Sequence, residues 1–555
     1  MSTTSASAAS AKRTDLKILQ PEKTLTGGTI HPYPKGLPKT TTSLCPECET
    51  INKIPARIFE ENGRVMMEKS CPQHGEFKDC LSSDVDLYLK MEEWEFGDLP
   101  GLSNPINSKG DANQCPEDCG MCSLHTSQTA LANVDLTNRC NLTCPVCFAN
   151  ANAAGYLYEP NMEQVKVMLK ALRDERPIDT RVVQFSGGEP TIHPNFIEIV
   201  ALAKQMGFTH LQAATNGLMF ANSLDFTMRA KQAGMSTLYL QFDGVTDDIY
   251  MKTRGEALFE KKMQCIENCR KAQIKIVFVP TIVKGLNDHQ LGDILKVAID
   301  NVDTVSGISF QPVAFTGRIA RKELEAKRFT LADLAHELSR QTGMFDTYND
   351  WFPLPAVVPF SRLISAAQGG KPVPTISSHT NCSLGTYMFV DERTRKAVPV
   401  TQFVDIPAML QDVEELSRKK WTGLAKLYNG SRAWLDLKKH FKKELAPEGL
   451  TFEKFLNTIQ GMTNKELGRD GMDGTFTYRT LLVAGMHFQD NYNYDVERVK
   501  RCVIHYAAPD GKLYPFCTYN SGPTYREKIE KQFSIPFEKQ LERFEFVELE
   551  PVAAK

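Results

Sequence analysis

The sequence predicts an α/β protein whose centre is a parallel sheet curled into a partial (β/α)6 barrel. Two observations carry this. Six short β-rich runs recur at Ala132–Thr137, Arg181–Ser186, His210–Thr215, Thr237–Phe242, Lys275–Ile282 and Gly307–Val313. Between them lie helical patterns such as Val165, Met168, Leu169 and Leu172, which share one face at i, i+3, i+4 and i+7. Strands alternating with helices imply right-handed βαβ units, and chemistry in such sheets sits in the loops after the strands' C-terminal ends. A cysteine-knuckle metal domain is expected before this core, and a helical, cluster-binding region after it.

Taken in order, the chain opens on MSTTSASAASAKR, which lacks the apolar core of a secretory signal and reads as a disordered tail over 1–30. A metal domain is expected over 31–98, closed by the Gly-, Pro- and Asn-rich linker at 96–111. A short segment at 99–130, the core at 131–320 and a C-terminal region at 321–555 complete the plan. In that last region Leu331–Gln341, Ala408–Ser417 and Arg432–Leu445 look helical. The 555 residues carry a net charge of -2 and are 42% hydrophobic, a composition that gives no case for nucleic acid. No apolar run reaches the roughly 18–20 residues of a membrane span. The expected location is the cytoplasm, or peripherally the inner face of the membrane.

Fifteen cysteines are many for a cytosolic chain, where disulfides seldom persist, and ten of them fall between Cys45 and Cys147. Metal binding is the better account. Cys45-x2-Cys48 and Cys71-x2-His74 form two knuckles that can place four ligands round one tetrahedral ion, with Cys80 as the alternative to His74. Zinc would make this site structural, whereas iron would let it carry an electron. Cys115-x3-Cys119-x2-Cys122 suggests an auxiliary tetranuclear cluster, or else a second zinc knuckle. His125, three residues on, either completes the set or is a surface histidine. Cys382, Cys502 and Cys517 stand in polar, Gly-rich settings and read as ligands of a further cluster. Cys265 and Cys269, four apart on a helix, read as packing residues.

The central motif is Cys140-x3-Cys144-x2-Cys147, entered directly from the first strand. Thiolates are the usual ligands of iron–sulfur clusters, and a tetranuclear cluster wants four. Three on one loop leave one iron open to a substrate or cofactor. After the second strand comes Gly187-Gly188-Glu189-Pro190, where the glycines admit close backbone approach and Glu189 offers an anionic acceptor for an ammonium group. Thr215-Asn216-Gly217 follows the third strand, and Gln241-Phe242-Asp243-Gly244 ends the fourth.

These motifs together resemble the radical S-adenosylmethionine (SAM) superfamily. By that resemblance the open iron of a [4Fe-4S] cluster is chelated by SAM, whose reductive cleavage yields a 5′-deoxyadenosyl radical. Gly187, Gly188, Glu189, Thr215, Asn216, Gln241 and Asp243 would line the SAM site. One departure is Val146, where an aromatic residue is usual before the third cysteine; Phe148 is the candidate to cover the cluster instead. Over about residues 31–530 the chain resembles the tetraether lipid synthase family, also labelled hydroxymethyl-dihydropterin dimethyltransferases, through SLCPECETINKIPARI, CPQHG, CPEDCGMC and VPTIVKGLNDHQLGDI. That resemblance implies carbon–carbon bond formation between lipid chain termini. It also implies one or two auxiliary [4Fe-4S] clusters, one mononuclear iron or zinc, and a ferredoxin- or flavodoxin-type electron donor. The alternatives are radical methylation of a pterin or similar small molecule, peptide or protein modification by an auxiliary-cluster enzyme, and, from another class, a non-catalytic iron–sulfur or zinc-ribbon adaptor. For a lipid substrate, the basic and apolar stretch 418–443 is expected to form an interfacial helix pair against anionic headgroups.

Overall fold

The computed structural model describes residues 34–96, 114–316, 324–463, 478–521 and 525–534. The tail at 1–30 and nearly all of the linker at 96–111 lie outside them.

The chain starts with a four-stranded antiparallel ribbon, β1 (Lys39–Leu44), β2 (Lys53–Glu61), β3 (Arg64–Cys71) and β4 (Gly75–Ser82), paired in that order. Period-two alternation turns Ala56, Ile58, Val65 and Met67 to one side, where they meet Tyr88 of the helix Val85–Glu92. Asp84 caps that helix by accepting from the Leu87 N–H.

Then follow six parallel strands, β5 (Leu131–Thr137), β6 (Val182–Gly187), β7 (His210–Thr215), β8 (Thr237–Gln241), β9 (Lys275–Val279) and β11 (Val305–Pro312), in that spatial order; the short β10 (Thr281–Ile282) pairs with β11. Their outward residues, among them Ala132, Val134, Phe185, Leu211, Leu240 and Phe278, pack under the connecting helices. Helix Met162–Arg173 shows how the local code works. Asn161 and Gln164 form a reciprocal capping box at its start, and Val165, Met168, Leu169 and Leu172 bury the stripe foreseen from their spacing. The inward positions are polar: Asn133 and Asp135, Gln184 and Ser186, Tyr239 and Gln241, Gln311. Asn133 at one end of the run and Gln311 at the other border the same cavity, so the sheet curls round it.

The C-terminal region is helical as expected, and it also extends this sheet. β14 (Tyr478–Met486) lies parallel to β11, followed by the antiparallel β12 (Ser383–Asp391) and β13 (Ala397–Pro399). On the other edge β15 (Ile504–Ala507) lies parallel to β5 and carries β16 (Leu513–Pro515). Two expected helices occur as Leu331–Thr342 and Ile406–Ser417. The third is displaced: 418–443 forms one helix, Leu424–Lys438, where a pair was expected.

The ribbon is tied to the core by buried charge. Arg328 reaches Asp79 of β4 at 2.5 Å and Asp490 at 2.8 Å, all three nearly inaccessible. Lys69 of β3 donates to Ser43 Oγ and to the Asn491 carbonyl. No helix among the described residues is long and apolar enough to cross a membrane.

Candidate active site and metal centres

The cavity inside the sheet has a volume of about 280 Å³, and Cys140, Cys144 and Cys147 stand at its rim on the loop that follows β5. Burial pushes the Cys140 thiol up to about 12, so in the bare protein this thiol is protonated and a bound cation must displace its proton. Asn152 holds the loop by accepting from the Cys140 N–H and donating to the carbonyls of Cys140 and Leu142.

The two glycines are required by contact. A Cβ on Gly187 would lie 2.2 Å from the Thr137 carbonyl oxygen, and one on Gly188 would lie 2.1 Å from that of Arg139. The Gly188 and Glu189 N–H groups donate to those same carbonyls, locking the loop after β6 onto the start of the cysteine loop. Only a bare backbone fits there.

Glu189, the expected ammonium acceptor, borders the cavity, and the protein orients both its oxygens. Oε1 accepts from Thr191 and from Thr215 Oγ1 at 2.8 Å, and Oε2 accepts from the Asn216 N–H at 2.8 Å. Burial raises its pKa against these donors. Its physical role is to fix Thr215 and Asn216. Asn216 in turn donates to Asn141 of the cysteine loop at 2.7 Å.

Asp243, expected at the SAM site, is fully buried and does not border the cavity. Burial raises its carboxyl, but the Arg254 guanidinium and the Thr281 N–H more than offset this and hold it below the usual range. Arg254, which the sequence reading missed, takes the place at the cavity wall. It pairs with both Asp243 oxygens and donates to the Val146 carbonyl at 3.0 Å, and its charge acts on Cys144. Lys262 was also missed. Its Nζ donates to the Asn216 carbonyl at 2.6 Å and to Gln241 Oε1 at 3.0 Å, while Gln241 Nε2 donates to Asp243. Because an ammonium only donates and a carboxylate only accepts, the Gln241 amide has a single orientation here. The cysteine loop is thus pinned by two arms, Asn216–Asn141 and Arg254–Val146, which meet at Lys262.

Phe148 stacks on Phe516 at 5.7 Å between ring centroids, under the Arg526 guanidinium, and Phe516 stacks on Phe488 at 3.9 Å. Its ring is therefore part of an aromatic wall shared with the C-terminal region. Arg526 pairs with Asp135 and Glu530.

Among the described residues, Cys45, Cys48, Cys71 and His74 bring one ligand atom each within 4.8 Å of the others, as a single ion requires. His74 is thereby the fourth member. Cys80 is not: it lies on β4 opposite Met66, where burial pushes its thiol up to about 11. No other cysteine group among the described residues meets that spacing. Cys115 and Cys119 are half-buried beside the buried Cys122, with Cys502 acting on Cys119. Cys382 and Cys517 act on Cys502, so the three late cysteines share one buried neighbourhood, with Arg498 beside Cys382 and Cys517. His125 does not complete the 115–122 set, since its Nε2 faces the Cys502 carbonyl at 2.8 Å and His505 at 3.0 Å. Cys265 and Cys269 are core residues.

The donor sets fit their groups: four single-ion ligands in the ribbon, and three thiols with an open side toward a cavity in the core. The comparisons agree. Residues 134–298 match the radical SAM superfamily, and residues 37–83 match the HMPTM N-terminal zinc ribbon domain. The 7,8-dihydro-6-hydroxymethylpterin dimethyltransferase of Methanocaldococcus jannaschii is 43% identical over 505 residues, 90% of this chain and 96% of that one. A GTP 3′,8-cyclase of Clostridium acetobutylicum is 24% identical over 233 residues, covering 40% of this chain and 72% of its own. Among solved structures, Streptococcus suis SuiB matches at 16% identity with a TM-score of 0.31, over 39% of this chain and 46% of that chain. The matched stretches contain the three thiols of the core and the four ligands of the ribbon, and this chain belongs to the radical SAM superfamily, in the same family as the archaeal dimethyltransferase.

Proposed function

We propose that this chain forms carbon–carbon bonds at unactivated carbon, and that its substrate is a pterin-type heterocycle that receives methyl groups. One observation supports this above others: the thiol-rimmed cavity has stacked aromatic rings on its upper wall and neutral amides on its floor, surroundings suited to a flat, hydrogen-bonding ring. The name of the archaeal relative supports the same reading. With a cluster at Cys140, Cys144 and Cys147 and SAM beside it, the groups bound there supply, once reduced by an external donor, a carbon radical able to abstract hydrogen. The chain's own part is placement. Gly187 and Gly188 let the backbone close on the cysteine loop, while Asn216 and Arg254 hold its ends. Phe148, Phe488 and Phe516 keep water from the reacting carbon.

A second reading, the joining of lipid chain termini, is favoured by the apolar part of that wall, where Val313, Met486, Ile504 and the phenylalanines would suit an alkyl chain. It would also use the exposed Trp434, Leu435 and Leu445 on the C-terminal layer as a contact with the bilayer.

One experiment separates them. Anaerobically reconstituted protein is incubated with SAM, dithionite and either 6-hydroxymethyl-7,8-dihydropterin or a dialkylglycerol lipid. Methylation yields 5′-deoxyadenosine with S-adenosylhomocysteine and a product heavier by one methylene per methyl group. Chain joining yields 5′-deoxyadenosine without S-adenosylhomocysteine and a product lighter by two hydrogens per joined pair. Absence of 5′-deoxyadenosine under both conditions overturns both readings.

A further inference from the structure

The inner face of the sheet carries a ladder of amides that the cysteine loop does not use. Asn133, Gln184 and Gln212 stand in register on β5, β6 and β7. Gln212 Nε2 donates to Gln184 Oε1 at 2.6 Å, and Gln184 Nε2 donates to Asn133 Oδ1 at 2.7 Å. At the far end His210 Nε2 faces Gln212 Oε1 at 3.2 Å. Each bond polarises the next amide in the same sense, so donor character accumulates toward Asn133.

There the ladder stops. Asn133 is 0% exposed, it borders the cavity, and its Nδ2 has no hydrogen-bond partner among the described residues. A buried donor left unmade is costly, so such an atom asks for a ligand. Across the cavity stand Tyr239, whose hydroxyl donates to Ser309 Oγ at 2.8 Å, and Gln311, which donates to the Tyr239 oxygen at 3.1 Å. None of these floor residues is charged. Tyr506, paired across from Asn133 on β15, leads up to the aromatic wall.

We propose that the cavity floor is a substrate subsite for an uncharged hydrogen-bond acceptor, with Asn133 as donor and Gln184 as the residue that orients it. The inference rests on the proposed function and adds to it the polarity of the group that reaches deepest. A phosphate or carboxylate is disfavoured there, because the two guanidiniums that line the cavity are already paired, Arg254 with Asp243 and Arg526 with Asp135 and Glu530. The acceptor chemistry is shared by a lactam or ring nitrogen of a pterin and by an ether oxygen of a dialkylglycerol. A site built to donate one hydrogen bond rejects an analogue lacking the acceptor.

The test is equilibrium binding to reconstituted holoenzyme of three probes: SAM, 6-hydroxymethyl-7,8-dihydropterin and a dialkylglycerol lipid. Asn133→Leu is expected to weaken the dihydropterin about tenfold, the loss of one net hydrogen bond with a buried partner, while SAM stays within about twofold. Where the leucine variant does not fold, Asn133→Ser gives the same loss with a smaller polar group. Dihydropterin bound equally by wild type and variant overturns the subsite and leaves the pterin reading standing. A lipid weakened by the substitution, with no dihydropterin bound, supports the subsite and removes that reading. Weakening of SAM alone overturns the subsite.

Discussion

At the residue scale the site depends on side chains that never touch a substrate. Lys262 is 1% exposed and joins both arms that pin the cysteine loop. Burial, helped by the Arg254 charge, pushes its amine down to about 8 against the favourable charges of Asp243, Cys265 and Glu189, with the Tyr250 ring alongside. Between about pH 8 and the ordinary lysine value of 10.5 the unfolded chain therefore binds more protons than the folded one. The cost of this amine to folding is full below pH 8 and shrinks as the pH rises through that window. Its hydrogen bonds weaken with the same proton, because charge-assisted bonds are the strong ones. SAM affinity of the wild type is expected to fall between pH 7.5 and about 9. Lys262→Met is expected to bind SAM about tenfold more weakly at neutral pH, with a flat profile. Titration calorimetry across that range decides, and a Lys262→Met variant that keeps the wild-type pH profile refutes the role.

At the element scale the ribbon and the helix Leu424–Lys438 each make a separable claim. The buried apolar cluster of the ribbon is small, Ala56, Ile58, Val65 and Met67 with Tyr88 of the adjoining helix, and Ile54 packs at the ligand set instead, so the sheet relies on the ion as well. Metal analysis is expected to find the ribbon ion retained in Cys80→Ser and lost or strongly depleted in His74→Ala. Chelation is expected to release amide protection over β1–β4 before β5–β9, as read by hydrogen exchange. On the helix, Trp434 packs against Phe452 with Lys438 over its ring, while Leu435 stays 60% exposed. Lys438 and Lys439 already pair with Glu453 and Asp412, which leaves less basic charge for a bilayer than the sequence suggests. If this layer docks on anionic vesicles, reversing the charge of Lys419, Lys420, Lys442 and Lys443 lowers flotation severalfold; unchanged flotation removes the docking.

At the scale of the whole molecule the N-terminal ribbon, the six parallel strands and the C-terminal strands are joined through buried polar links. Arg328 is the central one, set between Asp79 and Asp490. Replacing it by methionine leaves two buried carboxylates facing each other and is expected to cost about 3–5 kcal/mol. Guanidinium unfolding followed by hydrogen exchange checks this, with the ribbon detaching first. Wild-type protection of β1–β4 in that variant would show that Arg328 is not needed to hold the ribbon.

The sequence by itself determined the local parts. Strand and helix order over 131–313, the glycine turn after β6 and the cysteine spacings all follow from short-range rules of period, turn geometry and ligand reach. The inward polar row was written there too: Asn133, Gln184, Gln212 and Gln241 each sit between apolar neighbours, a period-two signal of a polar barrel interior. Tertiary structure alone decided which distant residues meet. Nothing local brings Arg254 to the cysteine loop, turns His125 to His505, gathers Cys382, Cys502 and Cys517, or sets β14 and β15 on opposite edges of one sheet. Those outcomes hang on packing and buried-charge pairing between segments up to hundreds of residues apart, where the partner of a group is settled by the fold as a whole.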